Sequence, residues 1–546
     1  MQPSRFGALL LLALLCSAPA IADETLDQAI EGVEAHAIRA HMAFLADDLL
    51  EGREAGTRGY QLAALYVATQ FELLGLQPAG DKGTWYQMLD LRRSVQVEEG
   101  CSFSLLQDDR TLPLQYGIDY LMTGDPNYTE TDIEAPLVYV GYGVSAPDME
   151  YDDFAGVDVK GKILVMLRGA PPTFPHDQRA YHAREKRNIA EKLGAIGVLN
   201  ILKPEDSSKR PWERRVQNSR IARMRLLDTE GNPIDSNPGL QSSAALSDSG
   251  LAKLFAGAPQ SLEEIFAAAE AGTVNSFELP WRAHMVRHSE HRNVRSRNVV
   301  ARLEGSDAQL RQECVVYSGH LDHLGVGEAD GGDRIYNGAF DNASGIAVML
   351  EVARAFTTLP QAPRRSLLFV AVTAEEKGLL GSRYFAEFPT VPLEDIVANI
   401  NLDMLLMLHP LRDIVAFGAE HTSLGNNIAD AASRLHIQVT PDPMPEEVIF
   451  VRSDQYSFVR KGVPAVFLTA GRQGEQPDGP NAETWLRERY HSQRDDMQQP
   501  MDLQSGVDFT RLNILIGSDV ANADTRPRWN EGDFFGNLFG GKRNWK

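Results

Sequence analysis

The chain has 546 residues, 43% of them hydrophobic, and a formal net charge of −22. That length and composition predict two or three domains with a sizeable core, which excludes a disordered chain and a single small domain. The negative charge argues against a nucleic-acid-binding surface and against attraction to anionic lipid.

The N-terminus reads as a targeting segment. Arg5 supplies a positive charge, Phe6 to Leu15 form a short apolar run, and Ala20-Ile21-Ala22 is a small-x-small cleavage site. Residues 1–22 are therefore expected to be a signal peptide, with a mature chain starting at Asp23 in the periplasm or outside the cell. The bulky Ala13-Leu14-Leu15 before Cys16 does not fit a lipobox. No later apolar stretch is long enough to span a bilayer. Cys101 and Cys314 then remain; two cysteines make no disulfide framework, and Cys314, in the apolar run Cys314-Val315-Val316-Tyr317, is expected to be a buried thiol.

Residues 23–114 are the first part of the larger domain. A helix is predicted there because Tyr60, Ala64, Val67, Phe71 and Leu74 share one face, and Gly75 followed by Pro78-Ala79-Gly80 stops it. The pattern changes near residue 115. Residues 115–290 read as a β-rich α+β insert, with a strand and turn at Leu137 to Gly143, a second strand at Ile163 to Leu167, a helix carrying Ile189, Ala190 and Leu193, and an apolar run at Gly194 to Leu199. Residues 201–240 are polar and rich in Arg, Pro and Asn, which suits exposed loops. From 291 to 520 strands and helices alternate. Strands are predicted at 313–318, 366–372, 396–402, 413–417 and 464–469, and a helix from near Ser344 with Ile346, Met349, Leu350, Ala353 and Phe356 on one face. This is the pattern of an α/β domain with a mixed, largely parallel sheet flanked by helices. Residues 521–546 lack periodicity and read as a surface extension or a docking strap.

Five motifs fall at strand ends or just after them: Gly319-His320-Leu321-Asp322, Phe340-Asp341-Asn342, Glu375-Glu376, Leu402-Asp403-Met404 and Tyr490-His491-Ser492. Each has an ordinary structural reading alone; Asp341, for instance, stands where a helix N-cap would. Together they bring two histidines and three carboxylates to one sheet edge, where α/β proteins bind ligands. Three partly buried carboxylates repel unless neutralised. Two divalent cations, with an ionised Glu375, bring the sum to zero. Oxygen and nitrogen donors in this mixture suit zinc, with manganese or cobalt also compatible, and a metal pair is a known hydrolytic design.

With His320, Asp341, Glu375-Glu376, Asp403 and His491 in this order, the chain resembles the co-catalytic di-zinc exopeptidases, the group of bacterial leucyl aminopeptidases and glutamate carboxypeptidase-type enzymes. The insert resembles a protease-associated domain in Gly141-Tyr142-Gly143, Tyr151-Asp152-Asp153 and Asp158-Val159-Lys160-Gly161-Lys162. The resemblance implies a zinc-exopeptidase, phosphorylase/hydrolase-like fold acting on peptides. It implies that Asp341 bridges two ions, that His320 and Asp403 complete one site, and that Glu376 and His491 complete the other. Glu375 would be the general base, Asp322 the partner of the second His320 ring nitrogen, and Tyr490 a donor to the oxyanion. Arg452 is a weaker candidate for substrate contact, with a surface salt bridge as the alternative. Many relatives carry His where this chain has Gln455. The expected activity is removal of N-terminal residues. A carboxypeptidase or dipeptidase on the same scaffold is the alternative; a glutaminyl-cyclase-like acyltransferase and a non-catalytic binding protein stand further back.

Overall fold

The computed structural model describes residues 18–542 except 210, 235 and 274. The apolar run at 6–15 lies outside the described residues, and Ala20-Ile21-Ala22 falls in helix α1 (Ala18–Glu31). Helices α2 (Ala35–Leu45) and α3 (Arg58–Leu73) follow. The Thr57 side chain caps α3 by accepting the Tyr60 N–H. Tyr60, Ala64, Val67 and Phe71 are fully buried, as their spacing predicts; burial of Val67 or Phe71 is worth about 1.5–3 kcal/mol each. Gly75, at φ 76°, turns the chain out of the helix in the left-handed region that glycine adopts without cost.

Among the described residues the largest sheet has 16 strands. The strands that matter here are β1 (Tyr86–Gln107), β2 (Glu130–Tyr139), β3 (Ile163–Leu167), β4 (Gly197–Ile201), β5 (Arg223–Leu226), β6 (Ser242–Leu246) and β7 (Phe277–Leu303). They continue with β8 (Cys314–His320), β9 (Ser366–Val372), β10 (Ile396–Asn401), β11 (Asp413–Phe417), β12 (Gln438–Thr440) and β13 (Ala465–Ala470). The order across the C-terminal half is β12-β11-β13-β10-β8-β9-β7, and it passes on through β2-β3-β4-β6 in the insert. Pairs β8–β9, β8–β10 and β10–β13 are parallel, while β7–β9 and β11–β13 are antiparallel. The fold is thus the mixed, largely parallel sheet expected. Every residue of β8, β9 and β10 is buried, which is why these strands are mostly apolar. Helices α5 (Ser344–Thr358) and α7 (Leu503–Asn522) pack together over one face, the Tyr317 hydroxyl donating to the Asn513 carbonyl at 2.7 Å. Helix α6 (Leu380–Glu387) lies on the other face with the short Gln455–Val459 helix.

The insert has its own core, built from β2, β3, β4 and β6 with Phe103, Leu105 and Leu114. The two cores meet inside β1 and β7, which run unbroken from one to the other and pair along most of their length. Helix α4 (His176–Lys192) lies at the junction, Arg184 donating to the Val451 carbonyl at 2.6 Å. Residues 201–240 are not simply exposed loops. They contain helices Pro204–Lys209 and Trp212–Ser219 and strand β5, which pairs with β1 from Arg223↔Ser94 to Leu226↔Leu91. Met224 and Leu226 are buried against Leu91, Ala374 and Leu380. Arg-Met-Arg-Leu alternates with the period of a strand, but over too few residues to outweigh the polar composition around it.

The C-terminal extension is docked. Helix α8 (Phe534–Phe539) buries Phe535 against His421, Phe450 and Tyr456, while Phe534 and Phe539 meet Tyr181 of α4 edge-on. Cys101 and Cys314 are both free thiols, and Cys314 is buried. Among the described residues no helix is long and apolar enough to cross a membrane.

Candidate active site

The register of three parallel strands sets the site. His320 closes β8 opposite Val372 of β9, and Ser318 stands opposite Asn401 of β10. Two residues beyond Asn401 bring Asp403 level with His320, and Glu375-Glu376 leave the end of β9 on the same edge. His320 Nε2 lies 3.0 Å from Asp403 Oδ1 and 3.2 Å from Asp341 Oδ1. His491 Nε2 lies 3.3 Å from Asp341 Oδ2 and 3.0 Å from Glu376 Oε2. All five residues expected as ligands therefore converge, and the two oxygens of Asp341 face two different histidines.

Asp341 is aimed by its own backbone rather than by a capping role. The Phe340 and Asp341 N–H groups donate to Asp495 Oδ1 and Oδ2 at 2.9 and 3.0 Å. Asn342 ties this loop to the next, donating to the Leu402 carbonyl at 2.9 Å and accepting the Gly345 and Met404 N–H groups. Gly338 precedes it at φ 62°. A Cβ at Gly338 would stand 2.2 Å from the Asp341 carbonyl oxygen and 2.7 Å from the His323 ring, so only glycine fits. Asp403 is held from behind: Ser453 Oγ donates to its Oδ2 at 2.5 Å and accepts from Asn401 Nδ2 at 2.8 Å. Buried Arg53 donates to the carbonyls of Leu321 at 3.0 Å, Asn337 at 2.6 Å and Gly338 at 3.1 Å, and also to that of Leu45. One guanidinium thus spans the His320 and Asp341 loops and the end of α2.

Two expectations are corrected. The second ring nitrogen of His320, Nδ1, faces the backbone carbonyl of Asp322 at 3.1 Å and not its carboxylate. The Asp322 carboxylate turns the other way, and its Oδ1 accepts the Glu375 N–H at 3.0 Å. The tight turn after β8 presents the carbonyl to the ring first, leaving the side chain free to position the Glu375-Glu376 loop. Arg452 is on the surface and pairs with Glu447 at 3.0 Å, the salt-bridge alternative. Gln455 is buried, donating to the Phe450 carbonyl at 2.7 Å and accepting from Asn401 Nδ2 at 3.1 Å. Tyr490 stacks on His491 with ring centroids 3.8 Å apart, which places it beside the site.

One histidine beside the expected ligands escaped sequence reasoning. His323 is fully buried, and its Nδ1 lies 2.6 Å from Glu376 Oε1 and 4.0 Å from Asp341 Oδ2. Its signal was a second histidine in Gly319-His320-Leu321-Asp322-His323, three residues beyond the first.

The electrostatics are those of a cation site. Burial and the Glu376 charge act to raise the Asp341 pKa, but the surrounding histidines win and hold it at about 2. Burial opposes protonation of His491, yet Glu376 and Asp341 push it up to about 9. Burial, together with Glu376, drives Glu375 well above the usual carboxylate range against the opposing pull of His320. Burial raises Asp322 to about 6, and its Oδ2 meets no hydrogen-bond partner among the described residues. Histidine donors and carboxylate oxygens gather within 4.8 Å of one another in three overlapping groups: His320, Asp341 and Asp403; His323, Asp341 and Glu376; and His320, Glu375 and Glu376. A buried set with this excess of carboxylate and this N/O mixture fits zinc, and divalent cations would supply the missing positive charge.

Comparison with known proteins agrees with this geometry. A probable zinc metalloprotease of Pyrenophora tritici-repentis is 30% identical over 263 residues, 42% of this chain and 58% of that protein. A probable leucine aminopeptidase 2 of Aspergillus oryzae is 28% identical over 256 residues, 43% of this chain and 45% of that protein. The chain thus spans about half the length of these relatives. The solved structure of an aminopeptidase from Aneurinibacillus sp. strain AM-1 superposes over 91% of this chain and 96% of its own, with a TM-score of 0.54 and 20% identity, and so shares the fold. Residues 298–514, which carry every ligand-type residue of the site, match the model of Peptidase family M28.

Proposed function

We propose that the chain is an exported aminopeptidase that binds two zinc ions and hydrolyses N-terminal peptide bonds. The observation that carries this reading is the division of Asp341, one oxygen 3.2 Å from His320 and the other 3.3 Å from His491. His320 and Asp403 would share one ion with Asp341, and Glu376 and His491 the other. When bound, such ions supply a Lewis acid for the scissile carbonyl and lower the pKa of water. Glu375 takes the proton of the attacking water and hands it to the departing amine. Its loop is held for this by the Asp322 carboxylate, which accepts the Glu375 N–H. Tyr490 donates to the developing oxyanion, a role supported by its stacking on His491. Similarity to the probable leucine aminopeptidase 2 of Aspergillus oryzae supports the free-amine specificity. Export follows the charged, apolar and small-residue pattern of residues 1–22. The insert, read as protease-associated in type, serves as a lid or substrate-access module or as a passive interaction surface.

The test is a panel of free-amine, N-blocked and C-terminally exposed peptides, assayed with added zinc and after chelation. Chelation-sensitive cleavage of free-amine substrates alone supports the proposal; cleavage of N-blocked substrates from the C-terminus would replace it with a carboxypeptidase. Glu375→Gln should keep its metal and lose nearly all turnover, and near-normal turnover in that variant would remove Glu375 from the mechanism.

A further inference from the structure

The carboxylate of Glu376 is divided in the same manner as that of Asp341, but its second oxygen faces a residue of a different kind. Oε2 stands 3.0 Å from His491 Nε2, whereas Oε1 stands 2.6 Å from His323 Nδ1. Two donors on one zinc ion, each at about 2.0–2.2 Å, are held about 3–3.5 Å apart. The four contacts that His320 and His491 make with Asp341, Asp403 and Glu376 run from 3.0 to 3.3 Å and meet that spacing. The His323–Glu376 contact is too short for two ligands of one ion. It has instead the length of a charge-assisted N–H···O hydrogen bond. At 4.0 Å from Asp341 Oδ2, Nδ1 is too far to share that oxygen's ion in the same shell.

The surroundings of His323 support the same assignment. The imidazole is fully buried, and its Nε2 meets no hydrogen-bond partner among the described residues. A histidine placed only to fill the core would leave a polar ring buried with one nitrogen unsatisfied, a cost without return. The ring fits because Gly338 has no Cβ, and its edge is met by Tyr336 at 6.5 Å and by His491 at 5.8 Å. Its backbone N–H is fixed on the Arg53 carbonyl at 3.3 Å. Nothing else in this enclosure gives the ring a purpose except the oxygen it faces.

We propose that His323 is a positioning residue. It donates Nδ1–H to Glu376 Oε1, confines Glu376 to ligation through Oε2, and so keeps a coordination position beside His491 open for substrate. The proposal rests on Glu376 being a metal ligand. It separates this chain's site into five residues that touch metal and one buried imidazole that does not.

The test uses the full chain stripped of metal and reconstituted with cobalt(II). Bound ions are counted, their affinities are measured by competition with a chromophoric chelator, and the visible d–d bands are recorded. His323→Leu keeps the ring's bulk and loses the donor; His323→Asn returns an N–H near the position of Nδ1. The expected result is two ions per chain in both variants, with the weaker affinity reduced 10–100-fold in His323→Leu and restored to within about threefold in His323→Asn. If His323→Leu loses one ion outright and the bands report a lost nitrogen donor, His323 is a ligand and the proposal fails. Affinity within twofold of the parent in His323→Leu, or no recovery in His323→Asn, overturns it as well. Glu376→Gln is the separate control: if it binds both ions with parental affinity, the ligand reading of Glu376 falls, whatever the His323 variants do.

Discussion

Arg53 offers the sharpest check on how this site is held. Its guanidinium is buried and donates to the carbonyls of Leu45, Leu321, Asn337 and Gly338. Hydrogen bonds to a charged group contribute about 1.5 kcal/mol each at the low end, so four amount to about 6 kcal/mol gross. Against this stands burial, which outweighs the nearby Asp495, Asp322, Asp341 and Glu376 charges and lowers the Arg53 pKa from 12.5 to about 10. At about 1.36 kcal/mol per unit, that shift costs about 3 kcal/mol and leaves a net contribution of about 3 kcal/mol. Arg53→Met should therefore lower the thermal midpoint by about 3 °C, given an unfolding entropy of about 2 cal/mol/K per residue. The same variant should release zinc faster to a chelator, because Arg53 ties the His320 loop to the Asp341 loop. Arg53→Lys, with three donors on a narrower head, should fall between. Differential scanning calorimetry and timed chelation measure both effects. An Arg53→Met protein that melts within 0.5 °C of the parent and keeps its zinc equally long would refute the reasoning.

Three other outcomes follow from named contacts. Ser453→Ala removes the donor to Asp403 Oδ2 and should weaken metal binding 10–100-fold with the fold intact; affinity within twofold by chelator competition would count against it. Gly338→Ala forces a left-handed φ on alanine, at about 1 kcal/mol, and drives a Cβ into the Asp341 carbonyl and the His323 ring. It should cost more than tenfold in metal affinity while far-UV circular dichroism stays unchanged. The tail contact should respond to pH. Burial acts to lower the His421 pKa, but the Asp533 carboxylate, 2.6 Å away, raises it above its ordinary value. A raised folded pKa means that the pair's contribution is complete below about pH 6.5 and is lost as pH rises through the higher folded value. Limited proteolysis of the tail should accelerate from pH 6 to pH 9, and Asp533→Asn should flatten that dependence; equal rates in the parent at both ends would remove the pair from tail docking.

His320, Glu375-Glu376 and Asp403 were legible because each ends or follows a buried strand; Asp341 stands in the turn before helix α5 and His491 follows the helix Ala482–Glu488, so those two were legible only from the order of the set. β9 was expected at 366–372 and spans Ser366–Val372, so the end that presents Glu375-Glu376 was fixed before any geometry was known. Asp322 was legible as a member of the site but not in its contact. Whether a turn offers a carbonyl or a carboxylate to a neighbouring ring depends on backbone angles that residue types do not encode. His323 was overlooked because a second histidine after a strand end is usually structural; only the 2.6 Å contact with Glu376 separates it from that background. Strand β5 failed for a different reason. Its pairing is with β1, more than a hundred residues earlier, and four alternating residues inside a polar stretch carry too little local signal.

The two strands shared by both cores change what the insert is able to do. β1 and β7 form a paired ribbon from Val299↔Tyr86 to Arg282↔Leu106, about 56 Å long at roughly 3.3 Å per residue. At one end β7 lies beside β9, whose exit carries Glu375; at the other it lies beside β2. A module on such a beam cannot tumble as it would on a tether. Its remaining freedom is flexure, and the single register shift in the ribbon, between Val286 and His288, marks the joint. Arg287 sits in that joint, buried and paired with Asp125, so the beam is pinned where it would otherwise fold. Torsion applied to the far end reaches the strand next to Glu375 through continuous backbone.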